Sequence, residues 1–455
     1  MLKEKMYERR NWRGVIHTTW NPNGPGVIRI HMIPPKFSWF RFAPAVVLLN
    51  GQELLPMNES WAILLTEFVN HVNAHGPGEL STQDLEVLLD KVCEETRKVY
   101  PAVSNKTLME DLSEIVDIFE SIVNGKTPAV WVGGLSVGEY AHYMRAPHRM
   151  DLMISAMTKN GSWNCNQKCL HCYAAGQHFA QTAELTTQEW KKIIHACRKA
   201  GIPQVTFTGG EPTLRTDLCE LIREARWFVT RLNTNGVLLT KELCEQFREA
   251  ELDSVQITLY SHDARVHNLL VGADNFYKTV AGIRHALAAG LNVSINTPLC
   301  KLNKEYAETL KFVKMLGVSY VTCSGLIVSG NAKKAASVDT QLSKEEIFET
   351  VKNAAGYCFA NGMEISFTSP GWISEEKLRS LGLDVPSCGA CLSNMAVTPD
   401  GQAIPCQSWL SEKPLGDMQK VSFRKIWMHP RCRKHRRFSA KMTQRCPFRK
   451  TEDMV

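Results

Sequence analysis

Three cysteines fall within eight residues, Cys165-Asn-Gln-Lys-Cys169-Leu-His-Cys172. Three thiolates on one short loop can hold three corners of one metal cluster. A [4Fe–4S] cube has four irons and usually takes four cysteines, so three ligands leave one iron open to a non-protein ligand. Zinc is the competing occupant. A closed structural zinc site needs a fourth ligand, and His171, adjacent to Cys172, would strain a tetrahedron. A second group is Cys388-Gly-Ala-Cys391, with Cys406 following after fourteen residues. Asp400-Gly401 between them is a hairpin-turn pair that would bring Cys391 and Cys406 together. Cys432 and Cys446 follow singly.

From about residue 150, β-rich runs alternate with helical text. Strands are expected at Leu152–Met157, Gln204–Thr208, Phe228–Asn233, Ser254–Tyr260, Asn292–Thr297 and Ser319–Cys323. Helices are expected between them, at Thr187–Ala200, Leu218–Ala225, Lys241–Ala250, Tyr277–Ala289 and Lys304–Leu316, with one more over 341–361. Six βα units in a row imply a parallel sheet with helices outside, as an open barrel or a doubly wound sheet. Chemistry in such folds sits at the C-terminal strand ends. The first cysteine group follows the first strand, and Thr-Gly-Gly-Glu, Asn-Thr-Asn-Gly and Tyr-Ser-His-Asp follow the next three.

The first 150 residues hold one cysteine, Cys93. Ala45–Leu55 reads as a hairpin turning at Asn50-Gly51. Three amphipathic helices follow, over Glu59–Val72, Ser81–Val99 with Ser81 as N-cap, and Lys106–Val123.

The chain has 455 residues, 44% hydrophobic and 22% charged, enough for two or three domains and a substantial core. That composition excludes a disordered chain, a fibre and a small disulfide-stapled module. No apolar run reaches the ~18 residues of a membrane span. Fifteen cysteines behind an N-terminus with no apolar signal core point to a reducing, cytoplasmic setting. The net charge of +7 is uneven. Arg424–Lys450 carries eleven Lys or Arg and no acid, against 42 basic and 46 acidic residues elsewhere. Such a stretch suits an acidic peptide, a phosphate or a nucleic acid, or is a solvated surface.

The Cys-x3-Cys-x2-Cys loop, together with Gly209-Gly210-Glu211-Pro212 after the second strand, resembles the radical S-adenosylmethionine (radical SAM) superfamily over roughly residues 150–325. The resemblance implies that Cys165, Cys169 and Cys172 hold a [4Fe–4S] cluster whose open iron is chelated by SAM. Glu211 would pair with the ammonium of SAM. Electron transfer would cleave the sulfonium, and the 5′-deoxyadenosyl radical would abstract hydrogen from substrate. Tyr173, Asn235, Thr258 and Asn296 align with positions lining the SAM pocket, for which strand-end capping is the competing reading. No catalytic residue is assigned beyond the clusters. Cys391-x9-Gly401-x4-Cys406 resembles the SPASM and twitch extensions of these enzymes, which implies an auxiliary cluster on Cys388, Cys391, Cys406 and Cys446, with Cys432 as alternate fourth ligand. Two [4Fe–4S] clusters are therefore expected, and zinc remains the alternative at the second site. The other cysteines read as buried thiols, with Cys323 open as a substrate-facing group.

The front segment resembles the precursor-peptide recognition element of ribosomal peptide maturases. It would take a leader peptide as a strand added beside Val46–Leu49. A generic accessory domain is the competing reading. The expected architecture is α/β: a partial (β/α)6 barrel with an N-terminal α+β peptide-recognition-like domain and a small cysteine-rich C-terminal domain. The boundaries are 1–125 for the recognition element, 126–149 for a linker, 150–345 for the barrel and 346–455 for the auxiliary domain with its basic tail. The expected partners are a precursor-peptide leader and an electron donor such as flavodoxin or ferredoxin, with no membrane and no nucleic acid. The expected function is hydrogen abstraction from a ribosomally made precursor peptide. The alternatives are a small-molecule substrate, such as a tetrapyrrole or cofactor precursor, and a non-catalytic iron–sulfur sensor.

Overall fold

The computed structural model describes residues 2–20, 27–38, 41–51, 53–76, 81–130, 133–334, 338–442 and 445–446. Residues 443–444 and 447–450 of the basic stretch lie outside them. Two compact units form, residues 1–145 with 227–229, and 146–226 with 230–455. Among the described residues no helix is long and apolar enough to cross a membrane.

The first unit has a four-stranded antiparallel sheet in the order Ile16–Trp20, Ile28–Ile33, Ala45–Leu49, Glu53–Met57. Asn50 and Gly51 both have positive φ, 47° and 72°, which is the turn their sequence demands. Three helices follow where the apolar spacing placed them, at Glu59–His75, Thr82–Val99 and Asn105–Val123. Each starts on a side-chain cap, Asn58, Ser81 or Ser104, worth about 1 kcal/mol. Leu108, Leu112, Ile115, Ile118 and Phe119 bury one face of the third. An N-terminal helix, Leu2–Asn11, was not legible, because its text is charged and lacks an apolar stripe. Side chains beside it tie it down: the Tyr7 hydroxyl donates to Glu67, and the Trp12 indole donates to Thr66 Oγ1 at 3.0 Å.

One expectation is corrected here. Ala45–Leu49 is an inner strand, paired with Ile28–Ile33 on one side and Glu53–Met57 on the other. No peptide can add beside Val46–Leu49. The sheet edges are Ile16–Trp20 and Glu53–Met57.

The second unit is built on seven parallel strands in chain order: Arg149–Ser155, Gln204–Gly209, Val229–Thr234, Ser254–Thr258, Asn292–Pro298, Tyr320–Ser324 and Glu364–Phe367. The six expected strands are present. The seventh extends the sheet past residue 345, and was missed because four residues alternating polar and apolar carry little signal. On the other flank Asn394–Val397 pairs parallel with the first strand, and Gln402–Ile404 returns antiparallel.

The sheet is two-faced. Leu232, Val255, Ile257, Ile295 and Val321 are buried on its helix-covered side, while Asp151, Thr206, Asn233, Gln256, Asn296 and Thr322 face inward. Cys323 shares the outer side with Val321, and Cys358 of the covering helix Lys344–Ala360 lies within electrostatic reach of it. Strand alternation thus removes Cys323 from the cavity, contrary to the sequence expectation, and puts Thr322 there.

Candidate functional site

The first strand delivers the chain to the Cys165–Cys172 loop through a small hairpin, Thr158–Lys159 with Ser162–Trp163. Two segments grip that loop through its backbone. Lys168 and Leu170 N–H donate to Val271 and Leu270 C=O, at 2.9 and 2.8 Å. From the other side, Asn331 N–H donates to Cys172 C=O at 2.9 Å and Asn331 Nδ2 to Cys169 C=O at 3.1 Å. Ser329 Oγ donates to Tyr173 C=O at 3.1 Å. Gly330 sits at φ +58°, where a Cβ would come 2.4 Å from Tyr173 O and 2.5 Å from Cys172 O. Sequence reasoning missed Ser329-Gly330-Asn331. A glycine between two small polar residues after the sixth strand was the available signal.

A prediction follows for this clamp. Gly330→Ala forces the cysteine loop away, and Asn331→Ala removes one hydrogen bond worth about 1 kcal/mol. After anaerobic reconstitution the glycine variant should hold severalfold less iron at the first site, and Asn331→Ala a smaller deficit. Unchanged iron in Gly330→Ala would show that the loop is not set from this side.

The three thiols are partly buried and near enough to repel one another as thiolates. Burial pushes Cys165 up to about 12, raises Cys172, and raises Cys169 well above its ordinary value. Metal-free, they hold their protons, and ligation must displace them. Among the described residues no His, Cys, Asp or Glu side chains form a group of three tight enough for a single metal ion. A cube makes no such demand, since each thiolate meets a different iron. His171 turns away to Thr340, with Nε2 2.7 Å from Oγ1.

The glycine pair makes a close approach, but to protein: Gly210 N–H donates to Ser155 C=O at 2.7 Å, and a Cβ on Gly209 would sit 2.2 Å from the same oxygen. Glu211 is buried. Its Oε1 accepts from Thr213 N–H, Thr213 Oγ1 and Thr234 Oγ1 at 3.0, 2.6 and 2.7 Å, and Oε2 from Asn235 N–H at 2.8 Å. Burial raises its pKa against these four bonds, which lower it. Asn235 Nδ2 then donates to Asn166 Oδ1 at 2.6 Å, next to Cys165. The strand ends and the cysteine loop are thereby one network. Thr258 and Asn296 are opposite one another in register at neighbouring strand ends, and Thr322 Oγ1 donates to Asn296 Oδ1 at 2.9 Å.

The second cysteine group gathers where the hairpin expectation put it. Cys391 N–H donates to Pro405 C=O at 3.2 Å, which sets Cys391 beside Cys406. The basic helix Pro430–Ser439 closes over them: Ser439 Oγ donates to Ala390 C=O at 2.8 Å and approaches Cys388 Sγ at 3.8 Å. Burial, and then a hydrogen bond to Cys432, raises the Cys391 thiol, the same bond lowers Cys432, and Arg436 Nη1 is 3.5 Å from Cys432 Sγ. Cys446 is within electrostatic reach of Cys388 and Cys406, and burial pushes Cys406 up to about 11. Both alternates for the fourth ligand therefore meet this group, Cys432 through Cys391 and Cys446 through Cys388 and Cys406. Tyr173 stands between the two cysteine groups, close to Cys172 and Cys406, with its hydroxyl donating to Gln407 at 3.4 Å. A broad open groove of about 720 Å³ past Asn164, Glu184 and Arg215 contains none of the expected ligands.

Comparison with known proteins agrees with this geometry. The family model for the radical SAM superfamily matches residues 162–313, and that for the SPASM iron–sulfur cluster-binding domain matches 388–447. An AdoMet-dependent heme synthase from Oleidesulfovibrio alaskensis is 30% identical over 285 residues, 58% of this chain and 72% of that protein. Among solved structures, SuiB of Streptococcus suis bound to the precursor peptide SuiA superposes with TM-score 0.59 at 13% identity, over 86% of this chain and 87% of SuiB. AnSMEcpe with bound AdoMet gives 0.52 at 17% identity, over 64% and 83%. These two likenesses concern the fold.

Proposed function

We propose, for a chain that belongs to the radical SAM superfamily and carries a SPASM iron–sulfur domain, the role of a peptide maturase. It is a radical SAM enzyme. The finer reading is that residues 1–125 capture the leader of a ribosomally made precursor, residues 150–345 carry the radical chemistry and residues 346–455 hold an auxiliary cluster. An external flavodoxin or ferredoxin supplies electrons.

Cys165, Cys169 and Cys172 would hold a [4Fe–4S] cluster, which when bound would supply the electron for reductive cleavage of SAM. The chain's own residues position that event. Ser329, Gly330 and Asn331 fix the thiol loop, and Glu211 locks Thr234 and Asn235 beside it. Gly209, Gly210 and Pro212 shape the turn over Ser155, and Tyr173, Thr258 and Asn296 complete the proposed SAM pocket. Cys388, Cys391 and Cys406, with Cys446 or Cys432, are the proposed auxiliary ligands.

The observation that carries the peptide reading is the free edge strand Glu53–Met57. Its apolar side chains Leu55 and Met57 pack into the core of the unit with Ile115, Ile118 and Phe119, which leaves its outer backbone edge as the surface on offer. A strand at a sheet edge can take an extended peptide as an added strand. One edge carbonyl, that of Leu54, is already taken by Leu135 N–H at 3.4 Å. SuiB, similar in fold, was crystallised with its precursor peptide. Deleting residues 1–125 should reduce modification of a short peptide encoded beside this chain to background while sparing SAM cleavage. Adding the segment in trans should restore part of it. Undiminished modification by the truncated enzyme would overturn the peptide reading. The second reading, a tetrapyrrole substrate, is favoured by the 30% identity to a heme synthase.

A further inference from the structure

The inner face of the parallel sheet is polar at every level, and its lowest level is charged. Arg231 is opposite Ser254 in register, four residues below Thr258 at the rim, a depth of roughly 13 Å. Arg149, Asp151 and Tyr320, on other strands of the sheet, are within electrostatic reach of Arg231, with Tyr320 one inward-facing position higher in register, level with Ser294 and Gln256. Arg149 Nε is 2.9 Å from Asp151 Oδ1, so that carboxylate is engaged. Arg231 has no acid within ion-pair distance among the described residues, and its one hydrogen bond there is a long one, Nε to Ser254 Oγ at 3.4 Å. Its terminal nitrogens remain available. Burial and the neighbouring Arg149 charge depress its pKa, with Tyr320 and Asp151 acting in the opposite sense.

A second observation points the same way. Asp151 Oδ2, Thr206 Oγ1 and Asn233 Oδ1, all on this inner face, are buried without hydrogen-bond partners. Asp151 and Thr206 are each only 2% exposed. Buried polar atoms are as a rule satisfied, so a wall with several unsatisfied ones is shaped for a polar guest.

We propose that this floor, with Arg231 as its fork and Arg149 and Tyr320 beside it, binds a carboxylate of the substrate. A planar guanidinium with free terminal N–H groups takes a carboxylate through two parallel hydrogen bonds, and a half-buried one such as Arg231 does so with less competition from water than an exposed one. The carboxylate is held deep, and the carbon that loses hydrogen lies between it and the rim where the cysteine loop stands. An acidic side chain of a peptide and a propionate of a tetrapyrrole supply the same group. The inference rests on the radical SAM reading only in taking the inner face as the substrate cavity.

The test uses the full-length, anaerobically reconstituted protein and calorimetry with two acids and their neutral counterparts. One pair is coproporphyrin III and its tetramethyl ester, the other a glutamate-containing pentapeptide amide and its glutamine analogue. The unaltered protein should prefer at least one acid over its counterpart. Arg231→Gln should weaken that acid at least about tenfold and leave the neutral compound unchanged. Arg231→Lys keeps the charge but loses the fork, and should fall between them. The acid that responds identifies the source of the carboxylate. No preference for either acid, or an Arg231→Gln protein that binds the acid as tightly as the unaltered one, overturns the proposal. If Arg231→Gln does not fold, as judged by its iron–sulfur absorption, unaltered affinity in Arg231→Lys overturns it instead. Failure of the unaltered protein to cleave SAM would sink the radical SAM reading and leave the binding result standing.

Discussion

Replacing Cys165, Cys169 and Cys172 together by alanine is expected to lower bound iron by about four per chain and to abolish SAM cleavage, leaving the second cluster in place. The effect is all-or-none because the three thiols act as a unit on one loop. Cys300, packed near the loop, is fully buried, and its sulfur faces the backbone N–H groups of Leu302 and Asn303. The fold should survive, since the loop is held by backbone hydrogen bonds to Leu270, Val271 and Asn331 rather than by its thiols. A triple variant that still forms 5′-deoxyadenosine would remove the triad from the chemistry.

The second large effect concerns the other cysteines. Replacing Cys388, Cys391 and Cys406 together should again remove about four irons, but uncoupled SAM cleavage should persist while substrate modification is lost. Loss of one zinc per chain with iron unchanged would contradict the auxiliary-cluster reading. The fourth ligand separates in the same assay. Cys432 is fully buried against Cys391 and Arg436, whereas Cys446 approaches Cys388 and Cys406 from the chain that follows the basic helix. Cys446→Ser should lower auxiliary iron. Loss on Cys432→Ser instead would transfer the role.

What was legible in the sequence was local. Cysteine spacing, the Asp400-Gly401 turn and helix caps such as Ser81 each act over a few residues, and each meets its partner in the structure. Faces and edges were less legible. Cys323 lies in a strand whose register decides whether it meets the cavity or the helices, and a one-residue shift reverses the answer. Val46–Leu49 reads as strand but does not reveal that Ile28–Ile33 pairs on its far side. Long-range supports escaped altogether. Asn331 grips a loop some 160 residues earlier, and Arg231 finds Arg149 and Asp151 only once strands distant in sequence stand side by side. Glu211 shows the same limit: its motif was plain, but its four internal hydrogen bonds were not.

The central claim is that a radical made from SAM in this chain takes hydrogen from a peptide delivered by the front unit. The most direct measurement is isotope transfer. Full-length enzyme, reduced and anaerobic, is incubated with SAM and perdeuterated forms of whatever short peptides the reading frames flanking its gene encode, and the 5′-deoxyadenosine is weighed by mass spectrometry. The account predicts 5′-deoxyadenosine that carries deuterium from the peptide, with none when residues 1–125 are deleted. Abundant 5′-deoxyadenosine without deuterium, alongside an unchanged peptide, would contradict it.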